Sequence, residues 1–195
     1  MPGHIEFLFD FGSPTTFLAH KRLAGVVART GATANYVPVL LGGVFKATGN
    51  TSPAVVPAKG AYMNIDMARY AKVHGILLQQ NPHFPINTIM LMRMATGLRG
   101  TPRYAPYVDT IFNAMWSLPR DMGDPAIVAE VLTAANFDAA ETLALAGDEW
   151  VKSALKAETE KAVARGVFGA PTFFIGDEMF FGQDRLDWVE AAVSS

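Results

Sequence analysis

The sequence predicts an α/β fold in which a βαβ unit and a ββα unit are separated by a long block of helices. Apolar residues alternate at Phe7, Phe9 and Phe11, which is strand periodicity. Helical periodicity runs from about residue 60 to 165, and two short apolar runs then flank a Gly-Asp turn. The chain has 195 residues, of which 50% are hydrophobic, so one large domain or a domain with a sizeable insertion can form a core.

The first unit is predicted from residues 4 to 39. Residues 4–11 form a strand, 14–29 a helix that ends before Gly31, and 34–39 a second strand. Ser13 is a suitable N-cap, and Pro14 stands at the first helical position, where its missing N–H costs nothing. This spacing predicts that the two strands are parallel.

Residues 40–60 are predicted to be irregular, because Pro53 and Pro57 argue against a long helix there. A helix ending near Gly75 follows, and then a second loop over 81–88 with Asn87 or Thr88 as the cap of the next helix. Further helices are predicted over 89–98, 104–116, 125–135, 138–145 and 148–165.

The last unit consists of strands over 171–175 and 179–181, joined as a hairpin, and a helix over 184–194. We therefore expect a small α/β domain made of residues 1–40 and 166–195, split by a loop and helical insertion over residues 41–165.

Composition excludes several classes of function. The 16 basic and 18 acidic residues give a net charge of −2, which does not favour nucleic acid or an anionic membrane as a partner. No segment approaches the roughly 18 apolar residues of a membrane span, and the N-terminus lacks the basic region of a signal peptide. We expect a cytoplasmic protein. The sequence contains no cysteine, so it cannot form disulfides, thiolate metal sites or a cysteine nucleophile; no metal is expected, and a sulfur nucleophile must arrive as a ligand.

Ser13 is the main candidate for chemistry. A hydroxyl at the start of a helix, directly after a strand, faces unpaired N–H groups and the positive end of the helix dipole. Such a position can hold an anion, including a thiolate. The alternative is that Ser13 is a plain N-cap.

With these elements in place, the chain resembles the thioredoxin fold, and its helical insertion resembles the bacterial disulfide oxidoreductases. The positions of the C-x-x-C motif of that family read Ser13-Pro14-Thr15-Thr16 here, so hydroxyl residues replace both cysteines. Gly169-Ala170-Pro171-Thr172 has the form of the family's cis-proline segment, which exposes backbone groups to a peptide-like ligand.

Among cysteine-free branches, the chain is similar to the 2-hydroxychromene-2-carboxylate isomerases, relatives of the kappa-class glutathione transferases. Matching segments run through nearly the whole length, at 7–14, 46–50, 66–71, 167–172, 176–179 and 181–186.

The resemblance implies that glutathione binds with its sulfur at the Ser13 hydroxyl. It implies further that the backbone of Ala170, before Pro171, pairs with the cysteinyl part of glutathione. Residues that would hold the γ-glutamyl end are Phe181, Gly182, Gln183 and Asp184. The alternatives are an ordinary strand-entry turn at Ala170-Pro171 and a helix cap at Asp184.

The implied substrate is an anionic aromatic acid, which needs a cation, polar groups and an apolar wall. The candidate residues on the two long loops are Lys46, Asn50, Lys59, His83 and Phe84. Each lysine taken singly is more typical of a solvated surface residue. Characterised isomerases carry an Asn-Arg pair after the Gly-Asn match, whereas this chain has an apolar segment at 53–57, so the resemblance leaves the substrate open.

The implied activity is a glutathione-dependent isomerisation in which the thiolate adds to a conjugated enone, a bond rotates and the thiolate leaves. The alternatives are a kappa-type transferase or peroxidase, a non-catalytic binding protein and a serine hydrolase; the last lacks a Gly-x-Ser-x-Gly motif at Ser13. The resemblance also implies a homodimer.

Overall fold

A computed structural model describes residues 3–194 and shows a four-stranded mixed sheet covered by helices. The strands are β1 (His4–Phe9), β2 (Thr33–Pro38), β3 (Thr172–Ile175) and β4 (Glu178–Phe181), in the order β2-β1-β3-β4. β1 is parallel to β2 and antiparallel to β3, and β3 and β4 form a hairpin. The predicted parallel pair, hairpin and thioredoxin-like α/β class are therefore confirmed.

The helices are α1 (Pro14–Thr30), α2 (Leu41–Thr48), α3 (Pro57–Val73), α4 (Ile89–Leu98), α5 (Tyr104–Trp116), α6 (Pro125–Ala134), α7 (Ala139–Ala144), α8 (Glu149–Ala164) and α9 (Leu186–Ser194). Those from α2 to α8 lie between β2 and β3 in the chain, which is the predicted helical insertion. The predicted ends of α4 and α5 are confirmed. Within residues 3–194, no helix is both long and apolar enough to cross a bilayer. The predicted division at residues 40 and 165 stays a prediction, and residues 1, 2 and 195 lie outside the described part.

The prediction of an irregular segment over 40–60 was wrong, because α2 and the start of α3 fall within it. Pro57 occupies the first turn of α3, where a proline is tolerated, so it starts this helix and does not prevent it. In α2, a β-carbon at Gly43 would lie 3.2 Å from Thr159 Cγ2, so glycine allows α2 to approach α8 closely.

Both faces of the sheet are buried. On one face the rings of Phe7 and Phe173 stack at 5.1 Å, and Phe11 meets Phe112 of α5 edge-on at 4.8 Å. A second cluster packs Leu8 with Val44 of α2 and with the residues Val37, Val39, Ala162, Val167 and Phe174. This double burial holds the end of β1 rigidly, and the Ser13 turn follows directly from it.

A polar link joins α1, β2 and α5. His20 Nδ1 lies 3.0 Å from the Tyr36 hydroxyl, and His20 Nε2 lies 3.1 Å from Asp109 Oδ1. Burial lowers the pKa of His20, outweighing the hydrogen bond to Asp109, so the imidazole is neutral at pH 7. The hydrogen bond from His20 in turn lowers the pKa of Asp109.

Candidate active site

The Ser13 turn begins where β1 ends. Gly12 allows the chain to turn, and the Ser13 N–H donates to the Asp10 carbonyl at 3.2 Å. The Ser13 hydroxyl accepts a hydrogen bond from the Thr16 N–H at 3.1 Å, so Ser13 is the N-cap of α1, as predicted. The first turn of α1 contains no acidic side chain. The positive end of this helix is therefore not neutralised by its own residues.

The C-terminal unit reaches this hydroxyl through Ala170. The Ala170–Pro171 peptide bond is cis, as the resemblance implied, and the Ala170 carbonyl accepts a hydrogen bond from Ser13 Oγ at 3.2 Å. Thr15 Oγ1 lies 3.0 Å from Ser13 Oγ on another side. A hydroxyl has one proton, so binding an anion requires the Ser13 O–H to turn away from the Ala170 carbonyl.

Thr16, at the second position that would carry a cysteine in C-x-x-C, has a buried hydroxyl. Its side chain is fully enclosed, and its Oγ1 atom makes no hydrogen bond with any described residue. A buried polar group without a partner is costly, so it requires an explanation such as a ligand. Sequence reasoning did not select Thr16, although its three-residue spacing from Ser13 was the available signal.

Phe181 and Gly182 lie against the cis-proline segment. The Gly182 N–H donates to the Pro171 carbonyl at 3.0 Å. The centroids of the Phe181 and Phe168 rings lie 4.5 Å apart. A β-carbon added at Gly169 would come within 2.7 Å of the Phe181 ring. Both rings are partly exposed, so they form an aromatic edge beside Ala170 and Pro171. Gly182 has φ 108°, a conformation that favours glycine.

Gln183 and Asp184 face different surroundings. The Gln183 side chain is buried, and its Oε1 atom and backbone carbonyl accept hydrogen bonds from Arg22 at 2.9 and 2.6 Å. Gln183 therefore fastens the turn to α1. Asp184 is exposed and lies 3.4 Å from its neighbour Arg185, so its carboxylate is available to a ligand ammonium group.

Asn50 connects the end of α2 to the same segment. Its Nδ2 donates to the Phe168 carbonyl at 2.8 Å, and its Oδ1 accepts from the Thr51 N–H at 2.8 Å. The Asn50 side chain thus contacts Phe168, which is two positions before Ala170 in the chain, and its amide holds the backbone of that segment.

Phe84 is connected to the Ser13 turn through Trp116. The Phe84 and Trp116 rings lie 5.7 Å apart, and Trp116 Nε1 donates to the Phe11 carbonyl at 2.7 Å. Phe84 is partly exposed and can serve as an apolar wall. His83 lies on the surface, with Nδ1 3.5 Å from Asp121 Oδ2.

Lys46 and Lys59 are both exposed, and neither forms an ion pair with a described residue. Lys46 is on α2, whose C-terminal end is held by Asn50, and Lys59 is in the first turn of α3. The structure therefore places Ala170 against Ser13 and Gly182 against Pro171, whereas Gln183 faces Arg22 and Asp184 lies beside Arg185. The ammonium groups of the two lysines form no ion pair with a described residue.

Asp10 is a buried carboxyl that sequence reasoning did not select as a site residue. It is only 2% exposed, and it accepts hydrogen bonds from the Gly12 N–H at 2.9 Å, the Leu41 N–H at 2.8 Å and the Thr88 hydroxyl at 2.7 Å. Burial raises the pKa of Asp10, although these hydrogen bonds oppose the shift. Leu41 and Thr88 are 31 and 78 positions from Asp10 in the chain, so the cluster becomes visible only in the folded structure.

Among residues 3–194 there is no group of three or more histidine, aspartate and glutamate side chains that could hold a metal ion. The residues around Ser13 offer hydroxyls, backbone groups and one exposed carboxylate. These are suited to a small peptide-like ligand.

Comparisons with known proteins identify the family of this chain. The DSBA-like thioredoxin domain model matches residues 4–194. The 2-hydroxychromene-2-carboxylate isomerase of Pseudomonas putida is 34% identical over 197 residues, covering 97% of this chain and 93% of the relative. Glutathione S-transferase kappa 1 of Caenorhabditis elegans is 28% identical over 93% of this chain and 87% of its own length.

A solved structure of a 2-hydroxychromene-2-carboxylate isomerase superposes with a TM-score of 0.88 at 30% identity, covering 97% of this chain and 93% of that one. The extent of these matches confirms the resemblance that the sequence motifs indicated. The chain belongs to the DsbA-like thioredoxin family and, within it, to the family of the 2-hydroxychromene-2-carboxylate isomerases.

Proposed function

We propose that this protein is a glutathione-dependent isomerase of 2-hydroxychromene-2-carboxylate-type aromatic acids. The observation that carries the proposal is the position of the Ser13 hydroxyl, at the N-terminus of α1 and 3.2 Å from the carbonyl of a cis Ala170–Pro171 segment. In a chain without cysteine, this is a site for a sulfur group that comes with a ligand.

The residues present fit glutathione. The unpartnered Thr16 hydroxyl lies at the start of α1, beside the Ser13 cap. The Ala170 N–H makes no hydrogen bond with the described residues, and its carbonyl is released for the ligand when the Ser13 O–H turns to the sulfur. Ala170 would thus hold the cysteinyl backbone, while Asp184 and the Gly182 turn would hold the γ-glutamyl end.

Glutathione held by Ser13, Ala170 and the Gly182 turn would supply the thiolate for addition to the conjugated enone of the substrate, and would be regenerated when the thiolate leaves after rotation. A free thiol has a pKa near 8.5, which leaves only a few per cent ionised at pH 7. The Ser13 O–H, turned away from the Ala170 carbonyl, would donate to the anionic sulfur, and the N-terminus of α1 would add its positive dipole. The enclosed Thr16 hydroxyl would turn toward the same charge, which would give it the partner that it lacks among the described residues.

The substrate would lie over the aromatic edge and Phe84. Lys46 or Lys59 would neutralise its carboxylate, because their ammonium groups are exposed and form no ion pair with the described residues. We also propose that Asn50 contacts its polar groups through Oδ1 while Nδ2 keeps the Phe168 carbonyl, and that His83 contacts them after its side chain moves from Asp121.

Titrating bound glutathione by thiolate absorbance tests the proposal. For the wild-type protein we expect a thiol pKa at least about one unit below that of free glutathione, and no such shift for Ser13→Ala. A wild-type protein that leaves the thiol pKa unchanged would contradict the proposal. Turnover of 2-hydroxychromene-2-carboxylate with a catalytic amount of glutathione tests the reaction itself.

A second candidate is a kappa-type transferase or peroxidase, in which glutathione is consumed. It is favoured by the apolar side chains of Val55 and Val56, which are 65% and 42% accessible and lie where the sequence resemblance predicts a polar pair for an isomerase. Stoichiometric loss of glutathione during turnover would establish it. The cytoplasmic location and the homodimer stay predictions.

A further inference from the structure

The buried Asp10 carboxylate connects three segments that are distant in the chain. Its Oδ1 atom accepts hydrogen bonds from Gly12 and Thr88, and its Oδ2 atom accepts one from Leu41. These residues belong to the Ser13 turn, to the start of α4 and to the start of α2. The Asp10 side chain therefore sets the distances between the Ser13 turn, the start of α2 and the start of α4.

The contact with Leu41 replaces a missing helix cap. The N-cap residue of α2 is Leu40, which has no side-chain acceptor, so the Leu41 N–H has no partner within its own segment. Asp10 Oδ2 accepts this hydrogen bond at 2.8 Å from the end of β1. The position of α2, which carries Lys46 and leads to Asn50, thus depends on Asp10.

The contact with Thr88 holds residues 81–88, the second segment that carries predicted substrate-binding residues. Thr88 ends residues 81–88, which carry His83 and Phe84, and it precedes α4. Its hydroxyl donates to Asp10 at 2.7 Å and makes no capping hydrogen bond to α4. Instead, Asn87 Oδ1 accepts from the Ile89 N–H at 3.0 Å.

We infer that Asp10 is a positioning residue, whose carboxylate sets α2 and residues 81–88 against the Ser13 turn so that both contact the aromatic substrate. This role rests on the proposed function. Burying a carboxylate is costly unless it accepts hydrogen bonds. All three hydrogen bonds that Asp10 accepts come from the Ser13 turn, the start of α2 and the start of α4.

Substitutions at Thr88 test the inference without removing the carboxylate. Thr88→Val keeps the shape and loses the hydroxyl, and Thr88→Ser keeps the hydroxyl. Loss of a hydrogen bond to a charged group predicts a KM for the aromatic substrate about tenfold higher in Thr88→Val, with the KM for glutathione within about twofold of wild type. Thr88→Ser should be close to wild type in both.

Thr96→Val is the matched control, because Thr96 is buried in α4, which Thr88 precedes, and its hydroxyl donates to the Met92 carbonyl within that helix. Amide hydrogen exchange supplies a readout that needs no ligand. We expect faster exchange over residues 81–92 in Thr88→Val, and over 41–48 as well in Asp10→Asn, whereas α5 keeps its protection.

The inference is overturned if Thr88→Val matches Thr96→Val in both exchange and substrate KM. It is also overturned if exchange rises while the KM for the aromatic substrate stays at the wild-type value, since Asp10 would then have a structural role only. If the wild-type protein fails the thiolate titration, the proposed function is wrong and the positioning role falls with it, whatever the exchange data show.

Discussion

The Ser13 hydroxyl donates a hydrogen bond to the Ala170 carbonyl at 3.2 Å, although 157 positions separate the two residues. This contact joins the N-terminal βαβ unit to the C-terminal ββα unit at one point. It also means that the hydroxyl that would stabilise a thiolate is already held in place, so that only its proton has to turn.

Ser13→Ala should lose both a helix cap and the proposed sulfur contact. We expect the free energy of unfolding to fall by about 1 kcal/mol, as for other N-caps, and kcat/KM to fall by at least roughly 100-fold. Denaturant unfolding and steady-state kinetics measure the two effects. Asp124→Ala is the control, because Asp124 caps α6 through the Ala126 N–H at 2.8 Å and should lose stability alone. Equal activity losses in the two variants would argue against a role of Ser13 in the chemistry.

Thr16→Val should stabilise the protein without glutathione and weaken its response to glutathione. Removing a buried hydroxyl that has no partner among the described residues should raise the free energy of unfolding by up to about 1 kcal/mol. The increase in melting temperature on adding glutathione should be smaller than for wild type. Thr142→Val is the comparison, since the Thr142 hydroxyl is satisfied by the Asp138 carbonyl at 2.6 Å. A full response to glutathione in Thr16→Val would show that its hydroxyl does not face the ligand.

Gly182→Ala should weaken glutathione binding by about tenfold, because a turn strained by roughly 1–3 kcal/mol would relax and move the groups proposed to hold the γ-glutamyl end. Gly182 has φ 108°, and a β-carbon there would lie 2.5 Å from Asp184 Oδ1, displacing the carboxylate proposed to bind the ligand. Gly176→Ala is the comparison, since it also places alanine at a positive φ, 59°, but its β-carbon would meet nothing within 4 Å. Calorimetric titration should therefore separate the two variants, and equal affinities would contradict the assignment of this turn.

The His20 link predicts a pH dependence of stability. Because burial lowers the pKa of His20, the unfolded chain binds a proton near its ordinary pKa of about 6.5 while the folded chain does not. The free energy of unfolding should thus decrease as the pH falls from about 7 to about 5. Urea unfolding across this range should show a smaller decrease in His20→Gln, and an unchanged one in His4→Gln, since His4 is exposed. An identical slope in His20→Gln would assign the effect to other groups.

Local signals in the sequence were sufficient for much of the fold. The alternation of Phe7 and Phe9, the Ser13 cap and the helical periodicity of α4 and α5 depend on neighbours in the chain, and all were predicted. The predicted strand was two residues too long, because β1 ends at Phe9 and Phe11 lies in the turn. α2 was missed because it contains Gly42 and Gly43 and has no cap of its own. It forms because Val44 is buried and Asp10 accepts its first N–H, which are tertiary effects.

The candidate site divides in the same way. Ser13 and the Ala170–Pro171 segment follow from motifs, whereas Asp10 and the isolation of the Thr16 hydroxyl depend on packing between distant segments. The Gln183 side chain is buried against Arg22 of α1, and this orientation could be predicted only with the position of α1 known.

The two hydrogen bonds at the ends of α2 have a mechanical consequence. Asp10 holds the helix at Leu41, and Asn50 holds the chain just beyond its last turn to the Phe168 carbonyl. A helix pinned at both ends cannot swing like a lid without breaking one of these bonds. We therefore expect substrate to enter and product to leave while α2 stays fixed as a rigid wall beside Ser13.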